Sequence, residues 1–79
     1  MDKTDLFNTV VDNVKQVLPF LENHKLKESD SLIDLGANSV DRVEIVMMTL
    51  EALSLKIPLL ETAAATNIGE LVDLLHAKC

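Results

Sequence analysis

The sequence predicts an all-α fold, a small bundle of three main helices plus one short helix, on three observations. Apolar residues recur at steps of three and four in three separate segments, which is the pattern of amphipathic helices. No segment alternates between apolar and polar residues in the manner of a half-buried strand. The hydrophobic 48% of the chain includes two Phe and no Trp or Tyr, so the predicted core is mainly aliphatic, which suits a helical bundle.

The first helix is expected to begin near Thr4 and to end at Pro19, whose ring fits poorly inside a helix. From Leu21 to Asn38 the helical pattern disappears and polar residues predominate until Gly36, so we expect a long ordered loop. The apolar residues of the first helix are Phe7, Val10, Val11, Val14, Val17, Leu18 and Leu21. The residues expected to anchor the loop are Leu26, Leu32, Ile33 and Leu35.

A second helix is expected from Ser39 to Leu53, with Asn38 or Ser39 as its N-cap. The residues predicted to form its core face are Val40, Val43, Val46, Met47, Leu50 and Leu53. On a helical wheel of about 100° per residue, the outward residues are predicted to be Asp41, Ile45, Met48 and Ala52, flanked by Glu44 and Glu51. Ile45 and Met48 are therefore expected to be apolar residues on an exposed face.

The C-terminal third is expected to hold a short helix and the last main helix. Pro58 opens the short segment, which extends to Ala65 and forms one or two turns. Thr66 or Asn67 then caps the last helix, and Asn67 with Glu70 resembles a capping box. The apolar residues of this helix are Ile68, Leu71, Val72 and Leu75.

Size and charge favour a binding or carrying role. The 79 residues fit one domain, 1–79, and a chain of this size buries only about 60% of its unfolded surface, which leaves little room for a catalytic cleft. Thirteen acidic and seven basic residues give a net charge of −6, which repels nucleic acids and anionic lipids and attracts basic protein surfaces. We therefore expect no nucleic-acid partner.

Reactive and metal-binding residues are few. Cys79 is the single cysteine, so no intrachain disulfide is expected and a reducing cytoplasm suits the chain. His24 and His76 lie far apart in sequence and lack a nearby set of acids or cysteines, so we expect no metal site and no catalytic residue. No apolar stretch is long enough to span a bilayer, so no membrane association is expected.

Ser39 lies where a helix is expected to begin. Free N–H groups and the positive end of the helix dipole stabilise an anion there, so a phosphoester on Ser39 would be favourable. Gly36 permits a tight turn, and Asn38 offers a capping oxygen that leaves the Ser39 hydroxyl free for modification. The alternative is that Ser39 is itself only the cap.

The stretch Asp34-Leu35-Gly36-Ala37-Asn38-Ser39-Val40-Asp41 resembles the attachment motif of acyl carrier proteins, usually Asp-Leu-Gly-x-Asp-Ser-Leu. The resemblance implies the acyl-carrier-protein fold, no enzyme activity, and 4'-phosphopantetheine joined to Ser39 by a phosphopantetheinyl transferase. The order of helices, the length and the acidity agree over the whole chain. Two features depart from the family pattern. Asn38 replaces the usual Asp, and residues 59–65 contain one carboxylate, Glu61, where fatty-acid carriers are typically rich in Asp and Glu.

The outward face of the second helix is expected to be a docking surface, because two apolar residues three positions apart lie there among carboxylates, next to the serine. The residues expected to contact partners are Asn38, Val40, Asp41, Arg42, Glu44, Ile45 and Met48. Asp41 and Glu44 would steer basic partners, and Arg42 would influence partner choice. For each acidic residue, a simple solvated surface remains the alternative.

The run from Leu35 to Ile45 resembles, more narrowly, the free-standing donor carriers of polyketide β-branching cassettes. This implies a monomer that receives malonyl from an acyltransferase. A ketosynthase-like decarboxylase converts malonyl to acetyl, which an HMG-CoA-synthase-like enzyme accepts. The alternatives are a general fatty-acid carrier and a helical adaptor that binds a partner through Ile45 and Met48.

Overall fold

The computed structural model describes residues 2–79, which form four α-helices and one short 3-10 turn. Helix α1 spans Lys3–Val17, α2 spans Ser39–Leu53, α3 spans Leu59–Thr62 and α4 spans Ile68–Lys78. No strand occurs in this described part of the chain. The prediction of an all-α bundle with three main helices and one short helix is confirmed.

The helices begin and end at residues whose chemistry explains the boundaries. Asp2 caps α1, because its carboxylate accepts a hydrogen bond of 2.8 Å from the Asp5 N–H. Helix α1 stops at Val17, and Pro19 opens the 3-10 turn Pro19–Leu21. Helix α2 ends at Leu53, and its C-cap Ser54 adopts a left-handed conformation with φ of 54°.

The hydrophobic core lies between α1, α2 and α4. The buried apolar residues are Leu6, Val10, Val14, Leu18, Leu21, Leu26, Ala37, Ile45, Val46, Leu50, Ile68, Leu71, Val72 and Leu75. All are aliphatic, as the composition indicates. Burying one such Leu, Ile or Val side chain is worth about 1.5 to 3 kcal/mol, so these contacts hold the three long helices together.

The rotation of α2 differs from the prediction. Ile45 is fully buried, whereas Val40 and Met47, which were expected in the core, are 72% and 54% exposed. Val43 is also largely exposed, and Met48 is half-buried beside Asn13 of α1. The predicted exposure of Ile45 is therefore wrong. The expected outward position is confirmed for Ala52, Glu44 and Glu51, which are exposed.

A buried hydrogen-bond chain explains the error in the rotation of α2. Thr49 is fully buried, its hydroxyl donates to the Ile45 carbonyl at 2.8 Å, and it accepts from the Asn13 Nδ2 at 2.9 Å. Because these bonds satisfy both polar groups, a threonine can lie at the centre of the core face. Apolar residues occur on nearly every side of α2, so the pattern alone leaves its rotation undetermined.

The loop before α2 is tied to the start of α4 by backbone hydrogen bonds. The Ile68 N–H donates to the Asp30 carbonyl at 3.0 Å, and the Gly69 N–H donates to the Glu28 carbonyl at 2.8 Å. A Cβ atom on Gly69 would lie 3.0 Å from the Glu28 Cβ, so glycine permits this close approach. Among the predicted loop anchors, Leu26 is buried, Leu32 and Leu35 are half-buried, and Ile33 is exposed, so the prediction is wrong for Ile33.

Candidate functional site

The chain enters α2 through a tight turn. Gly36 has a φ of 102°, a left-handed conformation that a residue with a Cβ adopts only at a cost. The Gly36 N–H donates to the Ile33 carbonyl at 3.0 Å, and the Ala37 N–H donates to the Leu32 carbonyl at 2.9 Å. These bonds fix the position of the residues that precede Ser39.

A capping box closes the first turn of α2. The Asn38 Oδ1 accepts from the Asp41 N–H at 2.8 Å, and the Asp41 Oδ2 accepts from the Asn38 N–H at 3.1 Å. Asn38 is therefore the N-cap, and the alternative that Ser39 caps the helix is wrong. The spacing Asn-x-x-Asp was visible in the sequence, where Asp41 was interpreted as a partner contact and its capping role was missed.

Ser39 is the first residue of α2 and is exposed to solvent. Its hydroxyl has no role in the capping box. Within residues 2–79, the N–H groups of Ser39 and Val40 donate to no protein acceptor, since the hydrogen bonds of this turn begin with Asp41 and Arg42. A negatively charged group on the Ser39 oxygen would therefore meet free N–H donors and the positive end of a 15-residue helix.

An open cleft of about 520 Å³ has Ser39 among its lining residues. Its walls come from residues 31–33, from α2 and α3, and from the start of α4. The apolar lining includes Leu32, Ile33, Val43, Val46, Leu59 and Leu71. Sequence reasoning missed this cleft, because it depends on how four segments that are distant in the sequence pack together.

Arg42 is the one charged residue in the lining of this cleft, among the residues that the structure describes. Its Nη1 donates to the Ala37 carbonyl at 2.9 Å, and the side chain is half-buried. Arg42 therefore holds the preceding turn against α2, in addition to any contact with a partner.

The residues predicted to contact partners do not form one surface. Val40 and Glu44 are exposed, and Asn38 is exposed although its side chain is occupied by capping. Ile45 is buried in the core, so the prediction that it contacts partners is wrong. Met48 lies in a shallow groove with Asn13, Glu51 and Ala52, away from the cleft beside Ser39.

The start of α4 forms part of the opposite wall of the cleft. Asn67 caps α4 by accepting from the Glu70 N–H at 2.7 Å, which confirms half of the predicted capping box. The Glu70 carboxylate accepts instead from the backbone N–H and the hydroxyl of Thr66, both at 2.9 Å. These two bonds hold the pKa of Glu70 below its ordinary value, the backbone bond having the larger effect.

Residues 2–79 lack two kinds of feature. No group of three or more His, Cys, Asp or Glu side chains is placed to hold a metal ion. No helix in the same range is both long and apolar enough to cross a bilayer.

Comparison with known proteins agrees with this geometry. Residues 8–75 match the family model described as the phosphopantetheine attachment site. The chain belongs to this family of acyl carrier proteins. The prosthetic group of the carrier is 4'-phosphopantetheine, and the exposed Ser39 hydroxyl beside free N–H donors fits the phosphate of that group.

Two relatives and one solved structure are similar to the carrier over 99% of its length. It is 49% identical over 78 residues to the polyketide biosynthesis acyl-carrier-protein AcpK of Bacillus subtilis (strain 168), covering 99% of this chain and 95% of that one. It is 30% identical to an acyl carrier protein of Guillardia theta, covering 99% and 96% of the two chains. A chain in the crystal structure of the curacin biosynthetic pathway HMG synthase in complex with acetyl donor-ACP superimposes with a TM-score of 0.95. That chain is 46% identical, and the match covers 99% of the carrier and 100% of the curacin-pathway chain.

Proposed function

We propose that this protein carries an acyl group as a thioester on 4'-phosphopantetheine attached to Ser39. The observation that supports Ser39 most strongly is the capping box of Asn38 and Asp41, which leaves an exposed hydroxyl at the start of α2. The terminal thiol of the group supplies the thioester, and the mobile arm raises the local concentration of substrate at partner active sites. The protein supplies the attachment point and the surface that partners recognise.

In the attachment reaction, the Ser39 oxygen attacks the β-phosphorus of coenzyme A. The new bond joins this oxygen to the phosphorus, 3',5'-adenosine diphosphate leaves, and the transferase accepts the hydroxyl proton. The resulting phosphodiester keeps one negative charge. The free N–H groups of Ser39 and Val40 and the dipole of α2 stabilise that charge.

The acyl group in this proposal is acetyl, and its acceptor is an HMG-CoA-synthase-like enzyme of polyketide β-branching. The support is the close likeness to the chain in the complex of HMG synthase with acetyl donor-ACP, together with the similarity to AcpK. A phosphopantetheinyl transferase, an acyltransferase for malonyl and a ketosynthase-like decarboxylase complete the proposed set of partners. The carrier itself performs no catalysis and acts as a monomeric domain, 1–79, in the cytoplasm.

The docking surface proposed for these partners is apolar and lies next to Ser39. We define the docking face by the exposed residues Ile33, Val40, Val43, Met47, Leu59 and Leu60. Ile33, Val43 and Leu59 line the same cleft as Ser39, and Val40 and Met47 are one helical turn from Val43. Val40 was predicted to contact partners and belongs to this docking face. Met47 belongs to it as well, whereas Ile45 and Met48, which the sequence predicted as contacts, do not.

Charged residues border the docking face. Glu44 is exposed and remains available to steer basic partners. Asn38, Asp41 and Arg42 stay in the proposed surface, although each also makes a hydrogen bond within the chain. Exposed apolar residues that lie together beside a functional group are a common feature of protein interfaces. The apolar Leu59 and Leu60 indicate that hydrophobic contact contributes more than charge at this end of the surface.

The attachment proposal is tested by intact mass after incubation with coenzyme A and a broad-specificity phosphopantetheinyl transferase. We expect one added phosphopantetheine on the wild type and none on Ser39→Ala. Ser31→Ala is the matched control, since Ser31 lines the same cleft, and it should be modified like the wild type. An unmodified wild type, or a modified Ser39→Ala variant, would refute the proposal.

A further inference from the structure

Arg42 carries a positive charge that has no carboxylate partner in the described structure. The ion pairs within residues 2–79 join Lys3 to Asp73 and Lys78 to Glu61, and both are exposed. The guanidinium of Arg42 has five N–H donors, and its hydrogen bond to the Ala37 carbonyl occupies one of them. The remaining donors are left at the wall of the cleft.

Arg42 and Ser39 lie on the same side of α2. They are three residues apart, which places their Cβ atoms about 5 to 6 Å from each other, and both line the cleft. A guanidinium on a flexible side chain can span this distance to a phosphate on the Ser39 oxygen. Its planar donors match the geometry of phosphate oxygens, which is why arginine often binds phosphate groups.

We infer that Arg42 binds the phosphodiester of the prosthetic group and directs the start of the arm toward the cleft side of α2. The inference rests on the proposed attachment at Ser39 and makes Arg42 a positioning residue. One N–H group of the guanidinium donates to the Ala37 carbonyl, and others donate to the phosphate. The same side chain therefore binds both the turn before Ser39 and the start of the arm. The phosphodiester does not titrate near neutral pH, so the contact persists from pH 5 to pH 8.

The ion pair between Arg42 and the phosphate should affect both the thermal stability of the modified chain and the direction of the arm. An ion pair with the phosphate adds a stabilising interaction that the unmodified chain lacks, so modification should raise the melting temperature by about 2 to 4 °C. Half-burial of Arg42 makes this pair less sensitive to salt than a fully exposed pair, although added salt should still weaken it. Without the pair, the arm would leave Ser39 in a wider range of directions.

The test compares the unmodified and modified chains by NMR and by thermal unfolding. In the wild type, the Nε–Hε resonance of Arg42 should shift on modification, and the shift should shrink as sodium chloride is added. The rise in melting temperature on modification should be smaller in Arg42→Gln than in the wild type, because only the contribution of the helix N-terminus remains. Arg42→Lys should show an intermediate rise. Comparing modified with unmodified protein for each variant cancels the loss of the hydrogen bond to Ala37.

Lys56→Gln is the matched control, because it removes one positive charge just beyond the C-terminal end of α2. That end lies about 20 Å from Ser39 along a 15-residue helix. The control should keep the rise in melting temperature seen in the wild type. An Arg42 resonance that does not move, with an equal rise in Arg42→Gln and the wild type, would overturn the inference. Failure of the wild type to gain mass would instead refute the attachment proposal.

Discussion

Ser39 and its neighbour Asn38 have separate roles at the start of α2. Asn38 and Asp41 satisfy each other's backbone N–H groups, so the Ser39 hydroxyl is not needed to stabilise the helix. The family motif usually has Asp where this chain has Asn38, and the capping oxygen is present with either side chain. The structure thus explains how a serine at a helix start can be exposed without serving as the cap.

Substitutions at these two residues should differ in their effect on stability. Asn38→Ala removes the capping oxygen and should lower the free energy of unfolding by about 1 kcal/mol. Ser39→Ala removes a hydroxyl that makes no hydrogen bond in the capping box, so it should change this free energy by less than about 0.5 kcal/mol. Urea unfolding of the three proteins measures both differences. An equal loss in the two variants would show that Ser39 shares the capping role.

At the scale of the element, helix boundaries could be predicted and the rotation of α2 could not. Pro19 was expected to stop the first helix, and α1 does stop just before it. Two candidates were open for each of the other caps, and the structure selects Asn38 for α2 and Asn67 for α4. The rotation of α2 depends on tertiary contacts, since Asn13 of α1 satisfies the hydroxyl of Thr49. The pattern of apolar residues within α2 does not indicate this contact with a residue of another helix.

The corrected rotation of α2 predicts opposite effects for two neighbouring apolar residues. Ile45→Ala leaves a cavity in the core and should lower the free energy of unfolding by about 2 to 5 kcal/mol. Met47→Ala removes an exposed side chain and should cost less than about 1 kcal/mol. Denaturant unfolding of both variants provides the comparison. If Met47→Ala were the more destabilising, the rotation of α2 described above would be wrong.

The start of α4 should show a pH-dependent contribution to stability. The folded pKa of Glu70 lies below its unfolded value, so its contribution is present above about pH 4.3 and is lost as pH falls through the folded pKa. The wild type should therefore have a higher free energy of unfolding than Glu70→Gln near neutral pH, and this difference should shrink as the pH falls across that window. Urea midpoints between pH 6 and pH 3 measure this, with Glu22→Gln as the control. A difference that stays constant with pH would contradict the assignment.

At the scale of the whole molecule, the bundle brings together residues that the sequence keeps apart. The all-α architecture could be predicted from periodicity, and the position of Ser39 at the start of α2 could be predicted from the motif. Attachment of the prosthetic group at Ser39 stays a prediction. The cleft and the proposed docking face could not be predicted, because residues 31–33, Val43 and Leu59 come together only through tertiary packing, including the hydrogen bonds from Ile68 and Gly69 that tie the loop to α4. The prediction that residues 1–79 form a single domain stays a prediction.

The central claim, that this carrier donates acetyl to an HMG-CoA-synthase-like enzyme, is tested most directly by the rate of acetyl transfer. The modified chain, loaded with radiolabelled acetyl, is offered separately to such a synthase and to a fatty-acid ketosynthase. We expect faster acetyl transfer to the synthase than to the ketosynthase. Met47→Glu should lower the rate of transfer to the synthase by at least about tenfold. Ala52→Glu should leave that rate unchanged, because its new charge lies away from the docking face. Faster transfer to the ketosynthase would contradict the account.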